Sequence, residues 1–134
     1  MRRKLHIKFI VLLLLLVACS PIYAFELEPQ SSTLIMSAVS EINTVSGKIT
    51  VYGETHTYNS VSKISVTTYL QYWNGSRWVD YLSWSSEKSN TSYVSIYREV
   101  IPPRGYYYRV RSVHTAESAG IKETMHSTSS YIFY

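Results

Sequence analysis

Apolar and polar residues alternate at a period of two through most of this chain, most sharply over residues 105–115. One face of that stretch carries Tyr106, Tyr108, Val110, Ser112 and His114, and the other carries Tyr107, Arg109, Arg111, Val113 and Thr115. Successive side chains of a strand point to opposite faces, so the first set is expected to face a core and the second to face solvent. Residues 48–58 alternate likewise, with Ile49 and Val51 opposite Lys48, Thr50, Tyr52, Glu54, His56 and Tyr58; Gly53 in mid-run signals a bulge or a close backbone approach. In residues 61–73, Ile64, Val66, Leu70 and Tyr72 share a face opposite Lys63, Ser65, Thr67, Tyr69, Gln71 and Trp73.

Turn residues punctuate these runs. Ser46-Gly47 separates a first strand over residues 33–42, whose weak alternation also admits a helical turn, from the second. Asn74-Gly75 tolerates the positive φ angles of a tight hairpin, predicting that residues 77–84 return beside 61–73. Polar residues 85–90 read as a loop before a strand at 91–100, and Pro102-Pro103 cannot continue a ladder. A loop at residues 116–120 precedes a last strand over 121–133. The pattern predicts seven short strands and no helix, a β-sandwich or barrel rich in Val, Ile, Tyr, Thr and Trp.

The first two dozen residues follow different rules. Arg2, Arg3, Lys4 and Lys8 precede an unbroken apolar run from Phe9 to Ala18, the layout of a secretory signal peptide. The run is well short of the roughly 20 residues that span a bilayer. Cleavage after Ala24 would leave residues 1–24 as the leader and release the chain. Alternatively, Leu16-Val17-Ala18-Cys19 has the form of a lipobox, giving a leader of residues 1–18, a lipid on Cys19, and a protein anchored on the outer face of the cytoplasmic membrane. The apolar tether after Cys19 favours release. Residues 25–32 form an acidic lead-in, and residues 33–134 the β domain.

Charge changes meaning once the leader is set aside. Of 13 basic residues, four stand in the leader, leaving nine against nine acidic ones. A neutral mature chain lacks the cationic surface on which nucleic-acid binding rests. With Cys19 the only cysteine, no disulfide supports the domain, which relies on one packed core of about 110 residues.

Residues 101–114, Ile-Pro-Pro-Arg-Gly-Tyr-Tyr-Tyr-Arg-Val-Arg-Ser-Val-His, resemble the E–F corner and F strand of fibronectin type III-like domains. The resemblance implies an antiparallel immunoglobulin/fibronectin III-like sandwich of about seven strands. It further implies that Tyr106 is a tyrosine corner bonding back to the backbone of residues 101–104, with Tyr108, Val110 and Ser112 in the core. The tryptophan that family carries in its second strand is replaced by Val51 and Tyr52. A wider stretch, from the leader to about Thr115, is similar to short secreted proteins of Gram-positive bacteria whose activity is uncharacterised. It includes Gly-Lys-Ile-Thr-Val at 47–51 and Leu-Gln-Tyr-Trp-Asn-Gly-Ser-Arg-Trp-Val at 70–79.

Little of the chain suggests catalysis. There is no Gly-x-Ser-x-Gly elbow, and Asp80, Glu87, Glu99, Glu117 and Glu123 specify no facing carboxylate pair. Glu54 and His56 share a strand face, as they would on any polar face. His114 and His126 on the last two strands would be two ligands where zinc takes three or four. The reading therefore assigns no enzyme activity, cofactor or metal. Aromatic residues are the abundant chemistry, with 13 tyrosines and three tryptophans. Tyr72, Trp78, Tyr106 and Tyr108 are expected in the core. Tyr69 and Trp73 face outward, and Tyr81 and Trp84 join them across the hairpin in a strip that could stack on sugars or anchor a protein. The expectation is a secreted binding module whose partner is cell-envelope polysaccharide, host glycan or protein, with membrane contact only through the leader or a Cys19 lipid. A secreted effector or small antimicrobial protein acting on cell envelopes is the alternative.

Overall fold

A computed structural model of the chain describes residues 33–134. The leader, Cys19 and the lead-in of residues 25–32 lie outside the described residues. Five strands, β1 (Ile35–Val45), β2 (Lys48–Trp73), β3 (Trp78–Val100), β4 (Tyr107–Ser118) and β5 (Ile121–Phe133), form one antiparallel sheet, with no helix among the described residues.

The sheet is organised by β2. One of its edges pairs with β3 from Ile49↔Val100 to Trp73↔Trp78. The other edge changes partner: β1 takes it as far as Thr57, and β4 takes residues 63–72. Outside β4 lies β5. Both long strands bend where the partner changes. Pairing jumps from His56↔Tyr93 to Val61↔Thr91, and Asn90 adopts φ 53°. The bend curls the sheet until β1 meets β4 and β5, where Ser40 Oγ stands 2.7 Å from Ser112 Oγ and 2.6 Å from Ser127 Oγ.

The alternation predicts seven short strands, and the structure has five because two pairs of segments run on unbroken. Residues 85–90 belong to β3 rather than to a loop, with Ser85 opposite Thr67 and Ser89 opposite Lys63. This segment lies on the free edge of the sheet, where polar and charged residues blunt unwanted pairing. Its polarity reflects that position. Two hairpins turn on Ser46-Gly47 (φ 50° and 74°) and Ala119-Gly120 (φ 49° and 79°), the doubly positive geometry that matches strand twist. The hairpin at Asn74-Gly75 is wider than a two-residue turn. Asn74 Oδ1 accepts from the N–H groups of Ser76 and Arg77, both at 2.9 Å, before Trp78 pairs with Trp73.

Two apolar clusters fill the curl. One holds Ile35, Val61, Ile64, Val66, Val94, Ile96 and Ala116; the other holds Ile42, Ile49, Val51, Leu70, Tyr108, Val110 and Tyr134. Between them runs a buried polar layer. His114 Nδ1 lies 2.8 Å from Thr55 Oγ1, and its Nε2 lies 2.7 Å from Ser127 Oγ. Ser127 continues to Ser40, Ser40 donates to Ser112, and Ser112 meets Thr68 Oγ1 at 3.1 Å. Every buried side-chain polar atom among the described residues has a partner, as a low-dielectric interior requires. Gly53 lies beside this layer. Its pairing to Ser40 and Ile96 is unbroken, so it marks a close approach and not a bulge.

The corner bond falls two residues later than the resemblance implies. Tyr108, not Tyr106, donates its hydroxyl to the Pro103 carbonyl, at 2.7 Å. Tyr106 precedes the first residue of β4 and is 43% exposed, whereas Tyr108 is 2% exposed and Val110 fully buried. Burial pushes the Tyr108 phenol up to about 12, which keeps it protonated as the donor. Tyr108→Phe is expected to cost about 1 kcal/mol in urea denaturation, while Tyr106→Phe leaves stability unchanged.

Candidate functional site

Cross-strand partners in an antiparallel sheet share a face, which allows rows of side chains to be followed across the outer face of β3, β2, β4 and β5. One row runs Ser83, Tyr69, Arg111, Thr128, and the next runs Asp80, Gln71, Arg109, Tyr131. At the end of the sheet Trp78 opposes Trp73 and Tyr107 opposes Phe133.

Trp73, Trp78, Tyr107 and Tyr131, one from each of four strands, line a cleft of about 260 Å3. Trp73 meets Trp78 at 5.5 Å and 61°, Tyr107 meets Tyr131 at 5.7 Å and 86°, and Trp78 faces Tyr131 at 6.2 Å and 44°. These tilted contacts, favoured by the ring quadrupole, shape a concave cradle from rings that remain open to solvent. The Arg109 guanidinium lies 4.5 Å over the Trp78 ring, and its Nε donates to Gln71 Oε1 at 2.8 Å. Gln71 in turn donates from Nε2 to Asp80 Oδ1 at 2.7 Å, so the floor of the site is tied together. Burial, and the neighbouring Arg111, lower the Arg109 pKa from its usual value. A second recess of about 290 Å3 adjoins the cradle, lined by Gln71, Arg77, Trp78, Val79, Asp80 and Arg111, with Trp78 common to both.

The aromatic strip Tyr69, Trp73, Tyr81 and Trp84 is not one surface. Tyr69 and Trp73 do share the outer face, but Tyr69 lies in the row beside Arg111, away from the cradle. Between the Gln71↔Asp80 and Leu70↔Leu82 pairs, Tyr81 is an extra residue. One inserted residue reverses every later side chain of its strand. Trp84 therefore opposes buried Thr68 and packs against both apolar clusters, and Tyr81 stands edge-on to Tyr72 at 6.4 Å. With Pro103, Tyr106 and Tyr108, those two tyrosines line a recess of about 230 Å3 at the mouth of the core.

The remaining polar candidates are engaged by neighbouring side chains. Glu54 lies between the Tyr52 hydroxyl and His56 Nε2, the latter 3.7 Å away, while the His56 ring stacks on Tyr93 at 4.5 Å. Accepted by Glu54, the Tyr52 proton is held far above the usual phenol range. Both carboxylate oxygens are thus engaged within a ladder of neighbours. His114 and His126 do not meet. His126 opposes Val113 and so points outward, to within 3.4 Å of Arg111, whereas His114 points into the core. No group of three or more metal-ligating side chains occurs among the described residues.

The core place expected for Trp78 rests on the need for bulky fillers, and the structure puts it in the outer cleft with Tyr107 and Tyr131, beside Arg109, none of which the sequence singles out for binding. The signal for Trp78 was present, since any even-length turn after outward Trp73 places it on the same face. The convergence of Tyr107 and Tyr131 depends on strand pairing.

Fold and site together define a small, all-β, antiparallel protein with an aromatic cradle on its outer face. No known family profile matches the sequence, and no curated protein is significantly similar to it.

Proposed function

We propose that this chain is a non-enzymatic, secreted binding module of immunoglobulin/fibronectin III-like sandwich form, which engages its partner through the cradle of Trp73, Trp78, Tyr107 and Tyr131. The basic head and apolar run of the leader support an extracellular address, with the Cys19 lipid as the tethered variant. The likeness to short secreted Gram-positive proteins belongs to the same reading. One observation carries the functional part: four strands each contribute a large aromatic ring to one outward cleft, and Tyr131 stays 65% exposed. A domain with no disulfide gains most from burying such rings, so holding them preorganised in water suits recognition.

Cosedimentation with purified cell-wall polysaccharide tests this. The wild type is expected to bind, and Trp73→Ala to bind roughly tenfold or more weakly with an unchanged far-ultraviolet circular dichroism spectrum. Equal binding by Trp73→Ala, or no binding by the wild type to envelope or host-surface preparations, refutes the reading.

A further inference from the structure

The cradle does not stand alone, because Trp78 is also a wall of the adjoining recess. A ligand filling both places a ring against the aromatics and a substituent beside Arg77 and Arg111. The charge there is unbalanced. Arg77 and Arg111 line the recess with a single carboxylate, Asp80, which already accepts from Gln71, and Arg109 bonds to the same Gln71. Among the described residues, the ion pairs are Lys48–Glu99, His56–Glu54, Lys63–Glu87 and Lys122–Glu117, and none involves an arginine. A chain with equal numbers of acidic and basic residues after its leader has nonetheless gathered three guanidinium groups without an ion-pair partner beside its aromatic cleft.

We propose that the ligand is an acidic glycan, with a pyranose ring held in the cradle and its anionic substituent on Arg77 and Arg111. This rests on the binding-module reading above. The geometry favours a sugar over a nucleobase: a flat base stacks between parallel plates, whereas these rings meet at 44° to 86°, a concave shape suited to the C–H edges of a puckered ring. The planar guanidinium fork takes a carboxylate or a phosphate in paired hydrogen bonds, so uronic acids and phosphorylated sugars share the required chemistry. Arg109 takes a different part. Stacked on Trp78 and bonded to Gln71, it fixes the shared wall and adds positive field. Burial, and after it repulsion from Arg111, lower its pKa, and a bound anion would relieve the repulsion.

Titration calorimetry with the full mature chain distinguishes the cases. Probes are an oligogalacturonate (carboxylate), a phosphomannan oligosaccharide (phosphate), a neutral oligogalactan and single-stranded oligothymidylate. At least one acidic glycan is expected to bind roughly tenfold or more tightly than the neutral one, and to weaken as salt rises. Arg111→Gln is expected to remove most of that preference, and Arg77→Gln, in the exposed hairpin, provides a second variant that leaves the ladder intact. Equal affinity for neutral and acidic chains overturns the charge assignment while leaving the binding-module reading standing. Tighter oligothymidylate binding overturns the sugar. If no glycan probe binds, the inference fails, and the Trp73→Ala sedimentation result then judges the cleft by itself.

Discussion

Acidification from pH 7 to pH 4 is expected to remove on the order of 3 kcal/mol of folding stability through His114 alone. The side chain is fully buried, and desolvation is the leading cause that lowers its pKa from 6.5 to about 4, with His126 adding repulsion. Thr55 Oγ1 gives its one proton to the Ser65 carbonyl at 3.1 Å, so it accepts from His114 Nδ1–H, while Nε2 faces Ser127 Oγ. The unfolded chain takes up its proton first, near pH 6.5. The contribution is thus complete above that pH, declines as pH falls toward 4, and is lost below the folded-state value. Urea denaturation at a series of pH values checks this against His114→Gln, which keeps a donor and an acceptor but cannot titrate. His56 and His126 are present in both proteins, so the difference in slope reports His114. The variant should be less stable at pH 7 and flatter between pH 6.5 and 4. A wild-type stability that does not change across that window would show that His114 is not held neutral in the core.

Gly53→Ala is expected to destabilise the protein by about 3 kcal/mol, combining overpacking with a broken buried hydrogen bond. An added Cβ would stand well inside van der Waals contact of Thr68 Oγ1, 3.0 Å from Ser112 Oγ and 3.4 Å from Val66 Cγ2. Thr68 is fully buried and β-branched, with a stiff first torsion, so its hydroxyl can leave only by giving up Ser112. Ser112 is also the acceptor for Ser40, which carries the layer on to Ser127 and His114. A single methyl group therefore perturbs a connected network. For a domain of this size the melting temperature should fall by more than roughly 10 °C. Thr68→Ala in the same chain opens space for the methyl, so the double variant should lose less than the two single effects combined. Strict additivity, or a Gly53→Ala protein as stable as the wild type, would remove close approach as the reason for glycine here.

Seen against the sequence, the inward face of β4 was legible because period two is a property of the backbone itself. Tyr108, Val110, Ser112 and His114 are all buried as the alternation requires. The polar layer was half visible: Ser112 and His114 stood on the inward face, but their partners Thr55, Ser127 and Ser40 come from strands far away in sequence. The corner tyrosine falls one period later than the resemblance implies, since Tyr106 and Tyr108 share a parity and only the path of Pro102-Pro103 decides which hydroxyl reaches a carbonyl. Residues 85–90 looked like a loop because composition does not distinguish an exposed edge strand from a turn.

The chain by itself therefore determined the all-β class, the breaks between strands at Ser46-Gly47 and Asn74-Gly75, and which residues of β4 share a face, because these follow from local backbone geometry. Tertiary structure decided the rest. It made β2 exchange β1 for β4, let one extra residue at Tyr81 turn Trp84 inward, and brought Trp73, Trp78, Tyr107 and Tyr131 into one cradle. Each of those outcomes depends on the register between strands distant in sequence, which no local periodicity encodes.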